Sequence, residues 1–477
     1  MTLKGLIKNK ERKNKWNWEY FQLLVVSECR NVEYRNAGTC EVDKDAMLSF
    51  AAIHNNLTME KVTSFIQKNK HKLNDDIYHK MAQELLNKKI GYDFIKNKQY
   101  DWHKLANRKD KTLITKYWLA MKLNKNVGDI SSVKKIPPCD LLTFSFPCQD
   151  ISLAGFQKGI EKGKTRSGLV YEVIRLLNQA KKDNQLPKYL IMENVKNLVG
   201  TKFIDKFKDL NKEFEDIGYN VYYQVINAKN CGVPQNRERV FGVYIRKDID
   251  MKNFSFPKPF DAWIKLKHVL EKEIDSKYYL SQKIQDRFIL TDKTFSKNII
   301  GTTKPSYRKI GQRDVVYNTE KIMGTLVATD CKQPKQILSK KDNNCKQIGF
   351  LDIKGYFDVE KRVYNTENTY STITTSLRSK IITNIDIKSV PHIKNTNLSV
   401  RKLTPIESFR LMGLTKEDTL ACYNIGVSDS SLYKQAGNGL VSNCITLLLE
   451  HLYKAQIDNN FICTDEKILA NNLSKKF

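Results

Sequence analysis

Two apolar runs of strand length, CDLLTFSFP from Cys139 and KYLIMENV from Lys188, flank a glycine-spaced loop and the amphipathic stretch SGLVYEVIRLLNQAKK from Ser167. Strand, helix and strand in that order close on one sheet as a parallel crossover, and a parallel sheet has to be covered on both faces. The chain is therefore expected to be α/β. Two later runs, GYNVYYQVINA from Gly218 and RVFGVYIR from Arg239, are β-branched and aromatic and read as further strands. Upstream, NAGTCEVDKDAMLSFAAIHNN reads as a strand, an acidic turn and a helix. The expectation is a largely parallel, Rossmann-like sheet through residue 246.

Around this sheet the chain divides into three stretches. Residues 1–249 form the main domain, opening with a short basic helix over 2–15 and carrying a Lys-rich helical insertion over about 57–125, with Tyr78, Tyr92, Phe94, Tyr100 and Trp102. Residues 250–399 change texture: short β-leaning pieces separated by Lys, Asn, Asp and Gly suggest a smaller, mostly β domain. Within it VYNTEKIMGTLVAT from Val316 and VYNTENTYSTITTS from Val363 repeat weakly, which suits either two similar hairpins or biased composition. Residues 400–477 turn helical again, rejoin the first domain and end in a Lys- and Asn-rich tail.

The charge balance narrows the partner. With 81 Lys and Arg against 52 Asp and Glu the formal charge is +29, enough to draw in a polyanion, so nucleic acid is the expected partner. A basic surface without a ligand, the by-product of AT-rich coding, is the plainer alternative. No apolar run approaches the length of a membrane span and no signal-peptide core opens the chain, so a cytoplasmic protein is expected. The 10 cysteines show no CxxC and no spaced His pair, which argues against a disulfide framework and a metal site.

Four short stretches carry the chemistry. Pro147-Cys148 ends the first apolar run, and a cysteine there is filler or nucleophile. "MENV" puts Glu193 at the end of the second run, the edge where open α/β sheets hold ligands. "PQNRERVF" sets Gln235, Arg237 and Arg239 at alternate positions entering a strand, so that they can share a face. "QAGNGLVSN" is a Gly-rich turn with Asn438 between Gly437 and Gly439. "GIEKGKT" falls one residue short of a phosphate-binding P-loop and is rejected as one.

In this order the motifs resemble the cytosine-5 DNA methyltransferase family, over about residues 36–250 and 400–450, with "RKLTPIESFRLMGL" from Arg401 similar to the element before the last turn. The resemblance implies a Rossmann-like catalytic domain using S-adenosylmethionine, with a target recognition domain in the divergent middle. Carbon 5 of cytosine is a poor nucleophile, so a thiolate, Cys148, adds at carbon 6 and makes the ring an enamine. A free thiol is mostly protonated at neutral pH, so its surroundings must favour the anion. Glu193 would donate to ring N3 as a protonated acid. Arg237 and Arg239 would bind the base edge, a phosphate or the glutamate, the resemblance favouring Arg237 at the base. Gln149, Ser152 and Gln235 would contact DNA. So would the basic flap 153–168, with Lys158, Lys162, Lys164 and Arg166, which by resemblance closes over a flipped-out cytosine; a merely solvated loop is the alternative.

For the cofactor, the resemblance points to Glu41 at the ribose hydroxyls, Asp129 at the adenine, and Ile130, Pro147, Leu169 and Asn438 as neighbours. Each alone equally suits a cap or turn. Family members open with a strand and a Phe-x-Gly-x-Gly loop, which residues 1–40 do not match. The sequence thus suggests that this strand falls before Met1, in a chain truncated, started internally or split, leaving a central sheet edge unpaired. The expected function is methylation of a short duplex DNA site by a monomer, in a restriction-modification or phage-borne setting with a cognate nuclease as a candidate partner. Two alternatives stand beside it. One is transfer-RNA methylation, whose branch carries a Cys-Phe-Thr tripeptide not found here, and the other is a DNA-binding relic or fragment without catalysis.

Overall fold

The computed structural model describes residues 17–18, 35–93, 96–147, 151, 166–285, 289–290, 298–303, 310–312, 314–340, 347–350, 362–365, 380–382, 398–458 and 460–461. The helix expected over 2–15 and Phe94 lie outside them. β1 (Asn17–Trp18) and β2 (Arg35–Asn36) precede α1 (Lys44–His54), α2 (Met59–Lys68) and α3 (Asp75–Asn87). A small hairpin, β3 (Tyr92–Asp93) and β4 (Lys98–Gln99), leads to α4 (Trp102–Ala106) and α5 (Thr112–Leu123). Next come β5 (Leu141–Ser145), α6 (Val170–Lys182), β6 (Tyr189–Val195), α7 (Ile204–Ile217), β7 (Tyr219–Asn227), β8 (Gln235–Asn236) and β9 (Glu238–Arg246). The strand-rich stretch holds α8 (Gln282–Gln285), β10 (Ile289–Leu290), β11 (Ile299–Thr302), β12 (Val315–Tyr317), β13 (Met323–Gly324) and β14 (Gln336–Lys340). It continues with β15 (Gln347–Phe350), β16 (Arg362–Asn365), β17 (Lys380–Ile382) and β18 (Leu398–Lys402). The chain then turns helical: α9 (Pro405–Arg410), α10 (Lys416–Asn424), α11 (Asp429–Asn438) and α12 (Ser442–Ile457).

The fold is α/β and Rossmann-like. Its main sheet runs β2-β1-β5-β6-β9-β7, parallel from β2 to β6. β9 is the exception: it lies antiparallel between β6 and β7. Only residues 228–237 join β7 to β9, too few for a helical crossover, so the chain has to turn back. The central place expected to be unpaired is filled by β1, whose Trp18 lies opposite Asn36 and Leu141.

Both faces of the sheet are buried, which is why its strands read as continuous apolar runs. Leu142 and Phe144 of β5, Leu190 and Met192 of β6, and Val240 and Tyr244 of β9 pack with α6 and α7. The alternate residues Leu141, Ile191, Phe241 and Val243 face a second core with α1, α5 and α12. Helix starts follow local chemistry: Asp43, Thr58 and Asn74 cap α1, α2 and α3 with side-chain oxygens. α7 stops at Gly218, whose φ of 130° suits glycine.

In the strand-rich stretch one sheet runs β10-β11-β12-β14-β18 and another β15-β16-β17. The two VYNTE segments begin on β12 and β16, and each strand pairs antiparallel with the strand before it and parallel with one after it. The weak sequence repeat thus coincides with a repeated pairing pattern, although the copies sit in different sheets.

Candidate active site

β5 and β6 end together, with Ser145 opposite Glu193. Glu193 is 6% exposed. Its Oε1 lies 3.0 Å from Arg239 Nε, and its Oε2 accepts from Ser145 Oγ at 3.3 Å. Because β9 is antiparallel, its beginning reaches the edge where β6 ends, and Arg239 sits opposite Val195. Directly beyond β5 the chain is pinned: Asn194 Nδ2 donates to the Phe146 carbonyl at 3.0 Å and Ser167 Oγ donates to that of Pro147. Cys148 is the next residue. Cys148, Gln149, Ser152, Lys158, Lys162 and Lys164 lie outside the described residues, as does the side chain of Arg166.

Two expectations are corrected here. Arg237 does not face Glu193 or an open edge. It is 2% exposed, and its guanidinium donates to the carbonyls of Leu326 at 2.9 Å, Gly437 at 3.2 Å and Gly439 at 2.8 Å. Nor does Gln235 reach toward DNA. It is fully buried, donates to Leu411 O at 2.8 Å and accepts from Leu326 N at 3.2 Å. The alternation that put all three side chains on one face is broken because β8 ends at Asn236 and β9 begins at Glu238, leaving Arg237 on the bend between them.

The residues expected at the cofactor do not all meet in one place. Glu41 and Asn438 line one cleft between α1 and the end of α11, together with Asp43, Met47, Phe50, Lys434 and Leu440. Glu41 is set by Asn126, whose amide exchanges hydrogen bonds with the Glu41 backbone at 3.0 and 2.8 Å. Lys434 is 2.6 Å from Asp43; burial would lower its ammonium, but Asp43, Glu41 and Asp45 outweigh that and raise it. Asp129 stands apart. Its Oδ1 accepts from Ser131 N, capping a short turn, and its Oδ2 is 2.7 Å from Lys89. The preceding Gly128, with φ of 83°, leaves no room for a Cβ, which would fall 2.0 Å from Lys88 O. Ile130 and Leu169 pack into the core beside α6, and Pro147 belongs to the Glu193 edge. Next to Glu41, burial and the carboxylates of Glu41 and Asp129 push the Cys40 thiol far up, leaving it a neutral donor to Gly128 O at 2.8 Å.

A model of the C-5 cytosine-specific DNA methylases matches residues 94–454. The chain belongs to this family. It is 33% identical over 431 residues to the type II methyltransferase M2.ScrFI of Lactococcus lactis subsp. cremoris, covering 89% of this chain and 94% of that one. It is 30% identical to the type II methyltransferase M.Bsp6I of Bacillus sp. (strain RFL6), covering 74% and 91%. It is 28% identical to the orphan methyltransferase M.SPRI of Bacillus phage SPR, covering 70% and 87%. The protein is thus a DNA cytosine-5 methyltransferase of a family that uses S-adenosylmethionine. The cleft suits that cofactor: the Glu41 carboxylate and Asn438 amide offer hydrogen-bonding ends, and Met47, Phe50 and Leu440 an apolar wall. Sequence reasoning missed Ser145, Asn194 and Ser167, which fix the Glu193 edge. Asn194 was within reach, since it adjoins Glu193 in the motif. Among the described residues no group of three or more His, Cys, Asp or Glu could hold a metal, and no helix is long and apolar enough to cross a membrane.

Proposed function

We propose that this chain methylates carbon 5 of a flipped-out cytosine at a specific short sequence in duplex DNA, through a covalent bond from Cys148 to carbon 6. The observation that carries the reading is Glu193, buried at the end of β6 and held by Arg239 and Ser145, with only the pinned Phe146 and Pro147 between Ser145 and Cys148 in the chain.

Cys148 as thiolate gives its electron pair to carbon 6, and the charge gained by the ring moves toward N3 and O2. Glu193 meets N3 and shares a proton with it, while Arg239, already oriented by Glu193, faces the adjacent O2. This assigns to Arg239 the base-edge role that the sequence favoured for Arg237; Arg237 becomes a positioning residue. Glu41 and Asn438 would hold S-adenosylmethionine, which would supply the methyl group taken up by carbon 5 and leave as S-adenosylhomocysteine. Release of the carbon 5 proton to solvent then lets the carbon–sulfur bond break and returns the thiolate.

The domain division at about 249 and 399 and target reading by the strand-rich stretch belong to the same proposal; of the basic loop 153–168, residues 153–165 lie outside the described residues. So do a monomeric, cytoplasmic enzyme and a cognate nuclease beside it. The deciding experiment follows labelled methyl transfer from S-adenosylmethionine to mixed-sequence duplex DNA, with Cys148→Ala as control. Incorporation that disappears in Cys148→Ala while DNA binding stays is expected, and normal turnover by that variant would remove Cys148 from the mechanism.

A further inference from the structure

Trp263 is 80% exposed, the most exposed large apolar side chain among the described residues, and it stands in the left-handed region at φ of 56°. Either feature alone is unfavourable: a bulky side chain gains nothing from water, and a non-glycine residue at positive φ is strained. Among the described residues no aromatic ring and no ammonium stacks on the indole. The backbone is nevertheless held in this shape, since Trp263 N donates to Asp261 Oδ1 at 2.8 Å. The segment is fastened on both sides. Phe260 N donates to Asn230 O at 3.5 Å, and Leu266 and Lys267 donate to the carbonyls of Lys321 and Thr319, each at 2.8 Å.

Those anchors fix where the indole stands. Asn230 lies in the short connection from β7 to β8, beyond the ends of β6 and β7 and the start of β9 that carry Glu193 and Arg239. Lys321 is two residues before β13, which pairs with β8. The Trp263 segment is thus tied to the Glu193 edge of the sheet. Its surroundings are basic: Lys258, Lys265, Lys267 and Lys321 are exposed, against the carboxylates of Asp261 and Glu320. Glu320 is shared between two ammonium groups, at 3.4 Å from Lys265 and 2.9 Å from Lys267.

We propose that Trp263 is a DNA-contacting residue, which lays its indole against the sugars and base edges of the duplex flanking the target while the neighbouring lysines meet phosphates. The charge of the patch selects a polyanion, and the rigid aromatic gives it apolar area that lysines alone lack. The inference rests on the duplex-DNA reading above and extends it to a residue outside the matched motifs.

The test titrates the full chain and its Trp263→Phe and Trp263→Ala variants with labelled mixed-sequence duplex, reading DNA anisotropy and protein tryptophan emission. Of the five tryptophans Trp102 and Trp118 are fully buried, and the difference between the unaltered chain and Trp263→Phe isolates the emission of Trp263 from that of Trp16 and Trp18. Expected are quenching by DNA that is diminished in Trp263→Phe, affinity near that of the unaltered chain in Trp263→Phe, and affinity at least about fivefold weaker in Trp263→Ala. Undiminished affinity in Trp263→Ala, or quenching of equal size in Trp263→Phe and the unaltered chain, overturns the inference and leaves the methyltransferase reading standing. An emission change that tracks protein concentration without DNA makes the patch a self-association surface and likewise overturns it. Failure of the unaltered chain to bind duplex at all overturns both.

Discussion

Arg237 and Arg239 are two residues apart, and the proposed mechanism gives them different tasks that mutation can separate. Replacing Arg237 by Ala removes three charge-assisted hydrogen bonds in a site that is 2% exposed and leaves the carbonyls of Leu326, Gly437 and Gly439 without that donor. At roughly 1.5–3 kcal/mol for a bond to a charged group, with allowance for non-additivity, the loss should be about 3–5 kcal/mol of stability. Replacing Arg239 by Ala removes one partner from Glu193 at the sheet edge, where Arg239 is 17% exposed and water can fill the space. The stability loss there should be smaller, about 1.5–3 kcal/mol for one hydrogen bond to a charged group. Its effect on rate should be larger, on the order of 100- to 1000-fold in methyl transfer, as when a charge-stabilising donor is removed from a reacting centre. Urea unfolding and single-turnover methyl transfer on both variants and on Arg239→Lys resolve the two quantities. Lys restores a charge but not the planar guanidinium, so Arg239→Lys should recover only part of the rate. If Arg239→Ala turned over normally, or if Arg237→Ala kept full stability while losing turnover, the assignment of Arg239 to the base would fall.

Three other outcomes follow from the same geometry. Glu41→Ala should weaken S-adenosylmethionine binding about tenfold, read by calorimetry, with a smaller loss in Glu41→Gln, which keeps an acceptor for Asp43 N; unchanged affinity would move the cofactor out of this cleft. Burial holds the Cys422 thiol up to about 12 and the Cys40 thiol higher still, so near pH 8 mass spectrometry after brief alkylation should find both unmodified while Cys148 is labelled and activity is lost. Burial tends to raise the Asp45 carboxyl, but Lys44, Ser431 and Tyr117 together hold it below its ordinary value. Stability from a carboxyl depressed in the fold is present above the unfolded value of about 3.9 and lost as pH falls through the folded one. Asp45→Asn should therefore be destabilised at neutral pH by about 1–2 kcal/mol, and the difference from the unaltered chain should shrink in chemical unfolding as pH falls below the unfolded value of about 3.9.

What the sequence could show depended on whether a feature left a local pattern. β5 and β6 were legible because burial on both faces makes a parallel strand continuously apolar, and LLTFS and YLIMENV are that. The repeated VYNTE segment was legible as a repeat, but which strands it would pair with lies in residues far along the chain. β1 left no pattern, since two residues cannot show a period; its place is set by partners on β2 and β5. The direction of β9 was written in the short connection after β7 and not in the strand itself, whose composition is the same either way. Glu193 was readable as a strand-end carboxylate next to a family motif. Its partner was readable only as one of two arginines, because alternation predicts a shared face only while the strand continues, and the backbone bends at Arg237.

That bend gives Arg237 a structural task of its own. Gly437 lets α11 approach the strand-rich stretch so closely that a Cβ there would fall 2.2 Å from the Val327 carbonyl carbon. Such an approach brings backbone carbonyls from two elements into a buried space, and each needs a donor. Arg237 supplies them from one fork, taking Leu326 on one side and Gly437 and Gly439 on the other. Gly439 and its neighbour Asn438 line the Glu41 cleft, while β8, just before Arg237, pairs with β13. One guanidinium therefore ties the cofactor cleft to the strand that precedes the Glu193–Arg239 edge. A lysine could reach only part of this set, so the position calls for arginine on geometric grounds alone.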